Sequence, residues 1–254
     1  MQPFPSLPSS GNRVDAKSLV EPGTSLAVTT SWIVGLILLA VASLVTMGFA
    51  LIGVVLTPIF SWFQHRKALA LIHGSGVKIS ESQFPEIHKV VAEYSRRLGI
   101  DAPEVYVVES NILNAYAVRF GKSNLILLTD EIINACMMAE KPSALCFILG
   151  HELGHIALGH NNTIRTFFKS VNKKVSRLDE YSADRVATAL AQDKDDAITG
   201  LILLTVGPQL AKYLNESALK EQIDQVVRNK DSQKAERPLT HPLLLHRLNK
   251  IGID

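Results

Sequence analysis

Residues Ile33 to Phe60 are almost without interruption apolar, and no Asp, Glu, Lys or Arg occurs from Pro22 to His65. A helix over those 28 residues would span about 42 Å, at about 1.5 Å per residue. The hydrocarbon core of a bilayer is about 30 Å thick, and about 40–45 Å with its headgroups. Trp32 and Trp62 bracket the run, and indole rings favour the membrane–water interface. The pattern predicts one tilted transmembrane helix over residues 32–63, with Pro58 marking its far end. A hairpin bent at Gly48 or Gly53 is the alternative, disfavoured because each arm would be too short to span. The preceding residues 1–31, with Pro3, Pro5, Pro8, Pro22 and several serines, read as a disordered tail. The run is too long, and starts too late, for a cleaved signal peptide.

Beyond residue 63 the periodicities are those of a folded domain, residues 64–254. Phe84 to Leu98 has helical spacing, with Ile87, Val90, Val91, Tyr94 and Leu98 on one face and Gly99 as a stop. Glu104–Val108, Ala115–Phe120 and Asn124–Leu128 read as strands, the last two joined at Gly121-Lys122-Ser123. Helices are predicted from Thr129, from Ser143 to about Gly159, from Arg177 to Gln192, and over most of the remainder to Ile251. Helix, small sheet, then several helices is an α+β order, not alternating βαβ.

Composition sharpens this division. The chain is 47% hydrophobic and 20% charged, which excludes wholesale disorder. A polytopic membrane protein is also disfavoured, because residues 64–254 carry 24 basic and 22 acidic side chains. A net charge of +2 gives no basic excess for a nucleic-acid partner. Two cysteines, Cys136 and Cys146, exclude a disulfide framework and a thiolate metal site, and read as small core residues. Near the apolar run, Arg13 and Lys17 stand before it and Arg66, Lys67 and Lys78 after it. Three against two leans towards a cytoplasmic C-terminal domain, in a single-pass protein expected in a bacterial inner membrane.

The chemistry concentrates at His151-Glu152-Leu153-Gly154-His155, inside an apolar helical stretch. Histidines four apart lie on one helix face, about 40° offset, and can share one ion. A carboxylate one residue after the first can reach a water on that ion, which is the zinc-hydrolase signature. A third protein ligand is required, with the fourth position open. His160 is nine residues after His151, about half a helical turn out of phase, and reads as a helix-end residue unless the helix breaks first. Glu180 is the better candidate: it shares a face with Asp184, which can accept the N–H of a ligand histidine. Asp179 is its rival, but lacks a carboxylate four residues on.

These pieces together resemble the HtpX and CAAX-prenyl-protease family of zinc metallopeptidases. Asn114-Ala115-Tyr116-Ala117, His151-Glu152-Leu153-Gly154-His155, Glu180 with Ala183-Asp184, and His241-Pro242 with Arg247 occur in that family's order, over roughly Glu81 to Ile251. The resemblance implies a zincin-like (gluzincin) core with one Zn²⁺ per chain held by His151, His155 and Glu180. It implies a strand at Asn114, Ala115, Tyr116 and Ala117 lining a substrate cleft. It suggests that His241 contacts the reacting carbonyl oxygen and that Arg247 braces the site. One departure is plain. Members of the HtpX type carry membrane helices between the zinc motif and the third ligand, whereas Ile156 to Asp179 here contains Arg165, Lys169, Lys173 and Lys174 and cannot span. Ala197–Val206 is also too short to cross and reads as a core helix. The absence of a multi-helix chamber argues against processing of prenylated tails.

The expected activity is a membrane-anchored zinc endopeptidase with Glu152 as general base, acting on unfolded or membrane-associated polypeptides in quality control. Its partners are then polypeptide substrates and the lipid bilayer. The alternatives are a catalytically silent zinc-binding scaffold and a latent protease or assembly factor with the polar linker Lys230–Thr240 over the cleft. That linker by itself reads as a mobile, solvated loop.

Overall fold

The computed structural model describes residues 11–121, 123–191 and 193–252. The first ten residues, Lys122, Gln192 and the last two residues lie outside them, and so does that part of the expected tail. The uncharged run is two helices and not one. α1 (Thr24–Val45) and α2 (Phe49–Ser75) are antiparallel arms of a hairpin. The chain reverses through two left-handed residues, Met47 (φ 48°) and Gly48 (φ 89°), and Gly48 N–H bonds back to the Ser43 carbonyl at 2.7 Å. Pro58 does not end the second arm, which continues to Ser75. The bend at Gly48 was the disfavoured alternative in the sequence, because Thr46, Met47 and Gly48 carry no charge to mark a turn. Of the two arms, α1 is long and apolar enough to cross a membrane.

The tail also differs from expectation over residues 11–31. Val14 N–H bonds the Arg97 carbonyl at 2.9 Å, and Asp15 caps a short 3₁₀ turn, Ala16–Leu19. Glu21 is buried, its N–H bonds Ser182 Oγ at 2.9 Å, and its carboxylate faces Lys250 and Arg185. The prolines and serines there do not outweigh these partners.

After the hairpin come β1 (Val77–Lys78), α3 (Pro85–Leu98), β2 (Glu104–Val108), β3 (Ala115–Phe120) and β4 (Ser123–Thr129). The sheet order is β1-β2-β4-β3. β2 and β4 are parallel, with Glu104 opposite Leu125. β3 is antiparallel to β4, with Ala115 opposite Leu128, and forms one edge. Leu125, Ile126 and Leu128 are buried, as suits a central strand.

Seven helices follow among the described residues: α4 (Asp130–Met138), α5 (Ser143–Ala157), α6 (Thr163–Val171), α7 (Lys173–Ala191), α8 (Lys194–Ala211), α9 (Glu216–Arg228) and α10 (Lys230–Glu236), with α11 (Leu244–Ile251) closing the fold as an eighth. α5 is buried from Ala144 to Ile156 and packs most closely on α7. Gly150 and Gly154 make that approach possible. A Cβ on Gly150 would lie 3.2 Å from Ala187 Cα, and one on Gly154 3.3 Å from Ala183 Cα. α8 supplies core residues Ala197, Leu201 and Leu203, as its apolar sequence suggested.

The linker Lys230–Thr240 is not a free loop. It begins with α10, and Glu236 is buried between Tyr181, Arg177 and His246. Arg177 also donates to the carbonyls of Arg237 at 2.6 Å and Leu239 at 3.0 Å. Its polar composition hid one buried carboxylate that ties it to α7 and α11.

Candidate active site

The close α5–α7 contact sets His151 and His155 directly against Glu180. His151 Nε2 and His155 Nε2 lie 3.1 Å apart, and each is 3.4 Å from a Glu180 carboxylate oxygen. A tetrahedral zinc with bonds of about 2.0–2.1 Å holds its donors about 3.3–3.4 Å apart. The triangle therefore fits one such ion, and these three residues are a group able to bind a metal. All three are buried.

The surrounding charges suit a cation. Burial alone would disfavour a charged His151, yet Asp184 and Glu180 push its pKa up to about 10. Burial likewise opposes the charge on Glu180, but hydrogen bonds from His151, His155 and His241 hold its carboxyl well below the usual range. Asp184 is almost fully buried. Arg247 grips it with two bonds, Nε to Oδ2 at 2.8 Å and Nη2 to Oδ1 at 2.6 Å. Against the cost of burial, that guanidinium and His151 keep the Asp184 carboxyl low. Asp184 Oδ1 then accepts from His151 Nδ1 at 2.9 Å, which leaves His151 Nε2 free as a donor atom.

His155 has an equivalent partner that spacing did not reveal. α5 ends at Ala157, Gly159 turns the chain at φ 68°, and His160 folds back beneath His155. The two Nδ1 atoms are 2.9 Å apart. His160 Nε2 is 3.3 Å from Asp179 Oδ1, and Asp179 is fully buried beside Arg165 and Lys169. Asp179 thus faces away from Glu180's side of the site, and His160 is a neighbour of the donor triangle and not part of it. Burial first, then His155, Lys169 and Arg165, lower the His160 pKa well below the ordinary histidine value.

Beside the triangle opens a cavity of about 950 Å³ lined by Glu152, the β3 edge from Asn114 to Val118, and the segment Leu239–Leu244 with His241. His241 Nδ1 sits 3.1 Å from Glu180 Oε2 with its ring mostly exposed. Asn114 is fixed by Thr129 Oγ1, which accepts from its N–H at 3.1 Å and donates to its carbonyl at 2.8 Å. Of the expected substrate-binding residues, Ala115 is buried and Tyr116 exposed. Every site residue named from the sequence therefore meets at this cavity or directly behind it.

A helix-borne histidine pair, a carboxylate from the facing helix and an edge strand along a cleft are the elements of a zincin-like architecture with a candidate metal centre. The model of Peptidase family M48 matches residues 81–172 and 163–252, and the chain belongs to that family. It is 29% identical over 171 residues to the plastoglobule-localized metallopeptidase 48 of Arabidopsis thaliana, covering 59% of this chain and 48% of that protein. It is 31% identical over 149 residues to a protease HtpX homolog of a Nostoc species (58% and 47% covered). A second HtpX homolog, from Persephonella marina, is 29% identical over 142 residues (56% and 46% covered). The chain thus spans about half the length of the curated relatives it matches. No solved structure gives a significant match.

Proposed function

We propose that this protein is a membrane-anchored zinc endopeptidase acting on unfolded or membrane-associated polypeptides, with a role in protein quality control. The observation that carries the reading is the donor triangle of His151, His155 and Glu180, beside Glu152 in a cleft walled by a free strand edge. Zinc held there would polarise a carbonyl and lower the pKa of water towards about 7. Glu152 takes the proton of the attacking water and returns it to the leaving amine. His241, at the cleft wall, donates to the oxygen that gains charge. Arg247 and Asp184 hold His151 in the tautomer that ligation needs. An extended substrate adds to the β3 edge from Asn114 to Ala117, so main-chain bonds supply much of the affinity. That mode favours broad specificity and segments that are already unfolded.

The expected single crossing helix is then α1, with α2 returning beside it as the second arm of the hairpin. Its two outer ends both join the catalytic domain, so residues 11–23 and 76–252 lie on one side of the membrane. Arg13, Lys17 and Lys78 then lie beyond the hairpin's outer ends, Arg66 and Lys67 in the part of α2 nearer its outer end, and the turn at Thr46–Gly48 carries no charge. By the positive-inside rule that shared side is the cytoplasmic one.

The test is Glu152→Gln in the full chain. Zinc content should match that of the native protein while casein cleavage is lost. Cleavage by the zinc-loaded variant would refute the base. A second reading, a latent protease or a silent zinc-binding scaffold, draws on the segment Leu239–Leu243, which lines the cleft. Zinc uptake by the native chain without any turnover would select it.

A further inference from the structure

α6 has two unlike faces. On one, Arg165 and Lys169 reach Asp179 of α7, and Phe168 is buried against Trp32 of α1 with ring centroids 4.8 Å apart. On the other, Ile164, Phe167 and Val171 are exposed at helical spacing. This second face continues the apolar surface of α1. A Cβ on Gly35 would lie 3.8 Å from the Phe167 ring, and Asn172, just past α6, donates to Ser31 Oγ at 2.9 Å. The neighbouring Trp32, Ile33 and Leu36 of α1 are exposed as well.

We infer that α6 lies flat in the membrane–water interface, with Ile164, Phe167 and Val171 inserted at the boundary of headgroups and acyl chains. At nine residues it is about 14 Å long, far too short to cross. An amphipathic helix of this kind binds by its buried apolar area and by basic residues that meet anionic headgroups. Lys173 and Lys174 follow directly and supply that charge. Its depth is set by Trp32, whose ring belongs at the interface and which α6 packs against. The other face cannot turn to the lipid, because its cations are committed to Asp179. Thr163, Thr166 and Lys169 of the same helix line the cleft across from β3. The mouth of the cleft therefore opens at the lipid surface, and polypeptide segments emerging from the bilayer reach it first.

This placement rests on the hairpin being membrane-inserted, and the experiment separates the two. A fluorescent thiol probe is attached at Phe167→Cys, Val171→Cys, Val41→Cys in α1, or Ser217→Cys on the exposed start of α9. The native thiols, Cys136 and Cys146, are buried and remain unlabelled in the folded chain. The full chain is placed in phosphatidylcholine–phosphatidylglycerol vesicles carrying spin-labelled lipids. The Phe167 and Val171 probes should lose most of their emission to shallow quenchers, the Val41 probe to deep ones, and the Ser217 probe to neither. Val171 reports independently should Phe167→Cys disturb the contact at Gly35. Quenching at Val41, with Phe167 and Val171 no more quenched than Ser217, overturns the inference and leaves the hairpin in the membrane. Loss of quenching at Val41 as well overturns the membrane reading itself, and α6 with it.

Discussion

His160 is the residue whose chemistry is most constrained by its neighbours. If His155 offers Nε2 to a metal, its proton is on Nδ1 and is donated to His160 Nδ1, 2.9 Å away. His160 must then be neutral with its own proton on Nε2, directed at Asp179. Burial and the nearby cations enforce that neutral state. The sequence of bonds needs a group that accepts on one side and donates on the other. His160→Ala should weaken zinc binding by about 10–100-fold, the usual effect of losing such an outer partner. His160→Asn should restore most of the affinity, because its amide oxygen accepts and its amide nitrogen donates. Chelator competition measures both, and an alanine variant with native affinity would remove His160 from the site. The donor triangle was legible in the sequence because both members of each pair lie on an unbroken helix. His160's partnership with His155 was not, since counting turns from His151 presumes that α5 continues through Gly159, and it ends at Ala157.

At the scale of elements, the site depends on how closely two helices approach. The face of α5 that meets α7 is Gly150 and Gly154, and the facing positions are Ala183, Val186 and Ala187. Gly154→Val would set side-chain atoms against Val186 Cβ, already 3.2 Å from a single added carbon. Overpacking of this kind costs about 1–3 kcal/mol. It would also move Glu180 away from His151 and His155, so lower thermal stability and weaker zinc binding should appear together. Gly74→Ala is the control: α2 there has nothing within 4 Å, and alanine gains up to about 1 kcal/mol of helix propensity. Equal behaviour of the two variants in thermal unfolding would show that the α5–α7 contact does not limit the site. The sheet and most helices of the domain were readable from periodicity, because each has one buried face. The hairpin, bent at Gly48, was legible only as the disfavoured alternative, because α1 and the first half of α2 are apolar all round and the turn between them carries no charge. There the backbone, through Met47 and Gly48, carries information that hydropathy does not.

At the scale of the molecule, the N-terminal segment decides how the chain meets the membrane. A disordered tail and a single span would place residues 11–23 on the side opposite the catalytic domain. Their contacts exclude that arrangement: Val14 pairs with Arg97, whose guanidinium reaches the Leu190 carbonyl at 2.8 Å, and Glu21 joins Ser182 and Lys250. These are bonds to α3, α7 and α11, so the segment is part of the domain that surrounds the metal-binding group. With residues 11–23 joined to that domain, a membrane-inserted hairpin is expected to return to the side from which it entered. Ser18→Cys and Ser217→Cys, both at exposed positions, give a direct test in sealed vesicles of known orientation. A membrane-impermeant maleimide should label both from the same face, and that face should be the cytoplasmic one, because Arg13, Lys17 and Lys78 flank the hairpin there and Arg66 and Lys67 lie in the part of α2 nearer that end than the turn. Labelling from opposite faces would require residues 11–23 to leave the domain, breaking the bonds of Glu21 and Arg97, and would restore the single span.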